Sequence, residues 1–249
     1  MKQSSAYGII TAEDCFMNIL ITGATKGIGH AIFDSLKSDN NIFTASRSSA
    51  DKNEFPNHFS CDLSTKEGAL KLGEYIAENK IDILINNAGG YIYTPAENTT
   101  HEDLHKILAL NLETPLYLIS KAIPYMKKQK FGRIINIGSI SGVLGEANAS
   151  AYSASKAGLI GASKALAIEL AEYGITVNTI NPGWVDTEMG NLSANEGDFS
   201  KEEITECIPQ KRFVEPCEIA GMVKYLISPE AKGVTGQSIN LCAGLTCGY

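Results

Sequence analysis

Asn18-Ile19-Leu20-Ile21-Thr22-Gly23-Ala24-Thr25-Lys26-Gly27-Ile28-Gly29 is the stretch on which the fold turns. Residues 18–21 form a short apolar run of the kind buried in a sheet. The run breaks at Thr22-Gly23, and from residue 27 to 37 Ile28, Ala31, Ile32 and Leu36 recur at helical spacing. In a strand–turn–helix unit the helix N-terminus offers free N–H groups to a phosphate. Glycines in the turn allow a tight bend, close backbone approach and close helix–sheet packing. The spacing here is G-x-x-x-G-x-G rather than G-x-G-x-x-G, so the strand and helix on either side carry the nucleotide-binding reading.

Working outward, short apolar runs at 41–45, 58–61, 81–86, 133–137, 175–180 and 238–241 alternate with helical patterns, the longest at 100–128 and 152–171. The runs are apolar at consecutive positions, which marks strands covered on both faces. This predicts an α/β domain built on a parallel sheet. No repeat or linker divides residues 17–249, so they are expected to form one domain, with a substrate flap near 186–212 around the breaker-rich segment 190–200. Residues 1–16 are set apart as an N-terminal extension and given no functional weight.

The chain has 249 residues, 44% of them hydrophobic, with a formal net charge of −7. That balance argues against a phosphate-tracking surface and so against nucleic acid as a partner. No apolar stretch reaches the length needed to span a membrane. The six cysteines, Cys15, Cys61, Cys207, Cys217, Cys242 and Cys247, include no C-x-x-C pair and read as reduced thiols of a cytoplasmic protein.

The second strand ends Ala45-Ser46-Arg47, where an NAD site usually carries an acid for the ribose hydroxyls. Arg47 and Lys26 are instead suited to a 2′-phosphate, which favours NADP(H). After the third strand, in Cys61-Asp62-Leu63, Asp62 either accepts from an adenine amino group or caps the next helix with Ser64 or Thr65. Asn87-Ala88-Gly89-Gly90 places flexible backbone at the carboxyl edge of the sheet.

Tyr152 and Lys156 lie four apart at the start of a helix and share a face, and Ser139 follows a strand at the same edge. A carbonyl that receives a hydride becomes an alkoxide and needs a proton. A tyrosine is a poor relay at its free pKa of about 10, and a nearby ammonium favours its phenolate. Ser139 can hydrogen-bond the substrate oxygen.

These elements together resemble the short-chain dehydrogenase/reductase family from Met17 to the end. The resemblance implies a Rossmann-like doubly wound sandwich with a central, mostly parallel seven-stranded sheet. It places the family's phosphate turn on Gly23, Thr25, Lys26, Gly27, Ile28 and Gly29. Ser46, Arg47, Cys61, Asp62, Leu63, Asn87, Ala88 and Gly89 are further cofactor-binding positions, joined by Tyr152 and Lys156. Pro182, Gly183, Val185 and Thr187 fall where the family orients the nicotinamide carboxamide. The catalytic set implied is Asn111, Ser139, Tyr152 and Lys156, with Asn111 tying the lysine to a water chain.

Within the family the runs Gly132–Ser139 and Lys156–Gly161 are most similar to bacterial 3-oxoacyl-acyl-carrier-protein reductases. That implies NADPH-dependent reduction of a 3-oxoacyl group on an acyl carrier protein, in a homotetramer. Lys130 keeps one basic residue used for carrier docking, whereas Tyr173 stands in place of an arginine and Cys242-Ala243-Gly244 in place of Asn-Gly-Gly. The same catalytic set also serves free ketones, sugars, steroids or diols. A nucleotide-binding scaffold without turnover is a further alternative. His101-Glu102-Asp103-Leu104-His105 fits H-E-x-x-H, but in the polar first turn of a helix, with no clear third ligand, so no metal site is expected.

Overall fold

The computed structural model describes residues 16–188, 190–191 and 200–248. Most of the proposed N-terminal extension and residues 189 and 192–199 of the proposed flap lie outside the described residues.

Seven strands form one sheet in the order β3-β2-β1-β4-β5-β6-β7. They are β1 (Asn18–Thr22), β2 (Asn41–Ser46), β3 (Asn57–Ser60), β4 (Ile83–Asn86), β5 (Gly132–Ile137), β6 (Ile175–Pro182) and β7 (Ser238–Leu241). Every pairing is parallel, so the sandwich is of the expected class, with the sheet parallel throughout.

The two-sided burial read from β1 has a direct structural cause. Successive side chains on a strand point to opposite faces. Ile19 and Ile21 pack into one layer with Ile32, Phe33 and Leu36 of α1 (Gly27–Leu36) and Ile219, Val223 and Leu226 of the helix Pro216–Ile227. Leu20 packs into the other layer with Leu72 and Ile76 of α2 (Lys66–Glu78), Leu118 and Met126 of α4 (Thr114–Gln129), and Leu170 of α5 (Ser150–Leu170). The order of strands reverses between β1 and β4, and this opens a crevice at the carboxyl ends of the strands, where ligands bind in sheets of this kind.

The long helix expected over 100–128 is interrupted. α3 (His101–Leu108) passes into a π-helical turn, Ala109–Glu113, before α4 begins. Pro115 has no N–H to give the Asn111 carbonyl, so the regular i→i−4 ladder fails there and the helix widens. At the start of α3, Thr100 accepts from the Asp103 N–H. The Asp103 carboxylate takes the Thr100 hydroxyl at 2.6 Å, so the reciprocal backbone bond of a full capping box is replaced.

Candidate active site

The glycine turn is held from two directions. Thr22 Oγ1 accepts from the Asn87 and Ala88 N–H groups, both at 3.0 Å. Asn87 Nδ2 donates back to the Thr22 and Gly23 carbonyls at 2.9 and 3.0 Å. The end of β4 therefore fixes the turn after β1. Gly23 has φ +68°, a conformation L side chains rarely adopt, and a Cβ on Gly29 would stand 2.1 Å from the Gly23 carbonyl oxygen. No side chain caps α1, so its N-terminus opens on the crevice. Lys26 and Arg47 both line the cleft. Lys26 pairs with Glu188 at 2.7 Å, linking the turn to the strand-end segment that carries Thr187.

At the far end of the crevice the Ser46 hydroxyl donates to the Ser48 carbonyl, and Ser60 donates to the Arg47 carbonyl at 3.2 Å. These bonds set the loop that carries Arg47. Asp62 is already engaged, because Oδ1 accepts from the Ser64 N–H at 2.9 Å and the Ser64 hydroxyl at 2.7 Å. Those bonds, with Arg47 and Lys106 nearby, hold its carboxyl below the usual carboxylate range. Thr65, not Asp62, caps α2. Burial pushes the Cys61 thiol up to about 11, so it is a packing group rather than a nucleophile.

The residues expected to do chemistry converge at the carboxyl ends of β4, β5 and β6. Lys156 is buried, and its Nζ donates to the Ile137 carbonyl at 2.9 Å and stands 5.8 Å from the centre of the Tyr152 ring. Burial brings the ammonium down to about 8. The same burial pushes the Tyr152 phenol up to about 12, opposed by its hydrogen bond with Ser139 and reinforced by the charge of Glu146. The lowered phenol that the Tyr-x-x-x-Lys spacing suggests is thus outweighed here by desolvation.

Asn111 sits on the π-turn. Its Oδ1 accepts from the Gly90 N–H at 2.9 Å, and its Nδ2 donates to the Gly90 carbonyl and to Ser155 Oγ. In this way the helix distortion locks the loop after β4 beside Lys156. Val185 bridges to Val214, and the Thr187 hydroxyl accepts from the Gly190 N–H.

Gly23, Arg47, Asp62, Asn87, Ser139, Tyr152, Lys156, Gly183 and Thr187 all line one cleft of about 970 Å³. Asn111 lies behind its wall. The sequence reading passed over three residues that the structure adds: Tyr91, Ser141 and Glu146. Tyr91 Oη donates to Glu146 Oε1 at 2.7 Å, Ser141 Oγ donates to Oε2 at 2.6 Å, and the Tyr91 ring meets the Tyr152 ring edge-on at 5.0 Å. Their only sequence signal is one glutamate in a run of small residues just before Tyr152. His101 and His105 lie in the exposed first turns of α3, and no group of potential metal ligands occurs among the described residues.

Residues 23–246 match the family model described as Enoyl-(Acyl carrier protein) reductase. The chain belongs to the short-chain dehydrogenase/reductase family. Among curated members it is 37% identical to a 3-oxoacyl-[acyl-carrier-protein] reductase of Rickettsia bellii (strain RML369-C) over 234 residues, covering 91% of this chain and 95% of that one. Among solved members, a putative NAD(P)-dependent gluconate 5-dehydrogenase from Beutenbergia cavernae, with bound NADP, superposes with a TM-score of 0.88 at 30% identity. The match covers 93% of this chain and 97% of that one. The actinorhodin polyketide ketoreductase with NADPH gives 0.84 at 32% identity, covering 92% and 97%. In this oxidoreductase family the cleft at the β1/β4 crevice is the candidate active site.

Proposed function

We propose that the protein reduces a carbonyl to a secondary alcohol with NADPH, and that Tyr152 gives the proton. The observation that carries this reading is the convergence of Ser139, Tyr152 and Lys156 on the cleft that the glycine turn also lines. The turn suits a dinucleotide: a side chain at Gly29 would fill the space against Gly23, and α1 begins there uncapped. Gly23, Thr25, Gly27, Ile28 and Gly29 would hold the pyrophosphate, Arg47 the 2′-phosphate, Lys156 the nicotinamide ribose, and Gly183, Val185 and Thr187 the carboxamide. Bound there, the cofactor supplies a hydride. Ser139 orients the carbonyl oxygen, Tyr152 protonates it, and the Lys156 ammonium stabilises the phenolate left behind. Asn111 supports return of the proton from solvent.

The finer reading is a 3-oxoacyl group on an acyl carrier protein, supported by the 37% identity to the Rickettsia reductase. A free ketone, sugar or diol is favoured by one local feature. The position of the second docking cation is Tyr173, and Lys127 lies over its ring at 4.6 Å. Loss of NADPH absorbance with acetoacetyl thioesters, run beside free ketones and diols, separates the two. Turnover of free substrates alone rejects the carrier reading.

Arg47→Ala is expected to weaken NADPH binding about tenfold or more, since a charge-assisted hydrogen bond contributes about 1.5–3 kcal/mol. NADH binding stays nearly unchanged. Fluorescence titration of both cofactors checks this, and equal loss removes the 2′-phosphate role.

A homotetramer is also proposed. On α5, Ala157, Gly161, Ala165 and Ile168 are all exposed, Ile168 at 83%, and such a stripe allows close packing of a symmetry-related helix. Light scattering at micromolar concentration is expected to report about four subunits; a fully active monomer refutes it.

A further inference from the structure

The hydrogen bonds around Glu146 all run one way. An ionised carboxylate only accepts, so the 2.6 Å bond to Oε2 uses the single proton of Ser141. Ser141 Oγ must then accept from its other neighbour, and Ser139 Oγ donates to it at 3.1 Å. The Tyr152 phenol lies next to Ser139 and interacts with its hydroxyl, and both line the same cleft. Two serine hydroxyls and the carboxylate thus form a chain to Glu146 whose inner end, Ser139, lies beside the Tyr152 phenol at the reacting centre. The carboxylate is half-buried, between the exposed residues Gly145 and Ala147 at the rim of the cleft. We propose that this chain is a proton path, separate from Lys156 and Asn111, that connects Tyr152 to solvent through Ser139, Ser141 and Glu146. It rests on the reading of Tyr152 as the proton-transferring group.

A purely structural brace would not need this arrangement. Ser139 is already held by the Ser141 backbone N–H, which donates to its Oγ at 3.1 Å. The Ser141 hydroxyl is therefore redundant for placing Ser139, and its distinctive contribution is to join Ser139 to the carboxylate. The other arm fixes the carboxylate itself, through the Tyr91 hydroxyl at 2.7 Å. The titratable groups facing Glu146 are Tyr91 and Tyr152, with Tyr93 and Lys156 behind them.

The proton balance closes without any further reagent. In the direction of carbonyl formation, the substrate hydroxyl proton passes to the Tyr152 phenolate. The Tyr152 O–H bond then breaks as Ser139 Oγ takes that proton, the proton of Ser139 moves to Ser141 Oγ, and that of Ser141 moves to Glu146 Oε2. The Glu146 carboxylic acid releases it to water. Carbonyl reduction runs the same transfers in reverse, with the proton entering at Glu146.

The test uses the full chain with NADP(H) and its best substrate from the ketone and alcohol panel. Ser141→Ala cuts the chain but keeps the backbone N–H that holds Ser139, and Glu146→Gln keeps the shape but removes the proton acceptor. Each is expected to slow turnover about tenfold and to enlarge the solvent deuterium isotope effect. In Glu146→Ala, imidazole or formate restores the rate in proportion to its concentration. In the cofactor-free protein, the Tyr152 phenol is read as the ultraviolet difference against Tyr152→Phe. It titrates about half a pH unit or more lower in Glu146→Gln, since a facing negative charge is removed.

Active wild type with unchanged variants overturns the path alone, as does a rate loss that imidazole and formate leave untouched. An unmoved phenol titration overturns it as well. Wild type that transfers no hydride to or from any substrate overturns the oxidoreductase reading of Tyr152 and the path with it.

Discussion

Tyr152→Phe is expected to lower turnover by a factor on the order of 10²–10⁴, the usual worth of positioned acid–base catalysis, with NADPH binding little changed. The substitution keeps the ring, and with it the edge-on contact to Tyr91 at 5.0 Å. It removes only the hydroxyl. Because burial pushes that phenol up to about 12, it carries its proton throughout the neutral range and is poised as a donor to a nascent alkoxide. What the phenol needs afterwards is stabilisation of the phenolate, and Lys156 is the cation in place. Its pKa of about 8, depressed by burial, means that the ammonium is present below that pH and lost as pH rises through it. Turnover that depends on the cation is therefore expected to decline above about pH 8. Lys156→Ala is expected to damage both rate and cofactor affinity. Single-turnover stopped flow, with NADPH binding measured separately, tests these effects. An unchanged hydride-transfer rate in the Phe variant removes Tyr152 from the mechanism and favours a non-catalytic scaffold.

What the sequence made legible divides along a physical line. β1 was readable because both faces of a central parallel strand are buried, which leaves the unbroken run Ile19-Leu20-Ile21. Tyr152 and Lys156 were readable because helical spacing alone puts them on one face. The Asn111 turn was not visible as a distortion. Periodicity through 100–128 is nearly the same for an α-helix and one with a single widened turn, and the cause, Pro115, also reads as an acceptable first-turn proline. Lys26 shows a different limit. Its place in the turn is local, but its partner Glu188 lies 162 residues away, and no spacing rule connects them. The Glu146 cluster was missed for the same reason: Tyr91 and Glu146 are separated by 55 residues and meet only because β4 and β5 are adjacent in the sheet.

The pairing of β1 with β4, which brings Asn87 against the turn, likewise explains why Gly29 is expected to tolerate little change. Gly29→Ala adds one methyl group, but its Cβ would fall 2.1 Å from the Gly23 carbonyl oxygen and 2.5 Å from Asn87 Nδ2. The first of these is backbone, and the second is a side chain already donating to the Thr22 and Gly23 carbonyls, so neither can rotate away without breaking the turn. Overpacking of this kind costs about 1–3 kcal/mol. The cheapest relief is to push α1 outward, which takes its N-terminal N–H groups away from the pyrophosphate position. NADPH affinity is then expected to fall about a hundredfold, equivalent to about 2.7 kcal/mol, together with a lower Tm. Gly221→Ala is the control. Gly221 is exposed in the helix Pro216–Ile227 with nothing within 4 Å of the added carbon, so the substitution is expected to gain up to about 1 kcal/mol from helix propensity. Calorimetry and cofactor titration on both variants separate the two effects. If Gly29→Ala lost stability but bound NADPH like wild type, α1 would be packing on the sheet without presenting its N-terminus to the cofactor, and the phosphate site would have to lie elsewhere along the cleft.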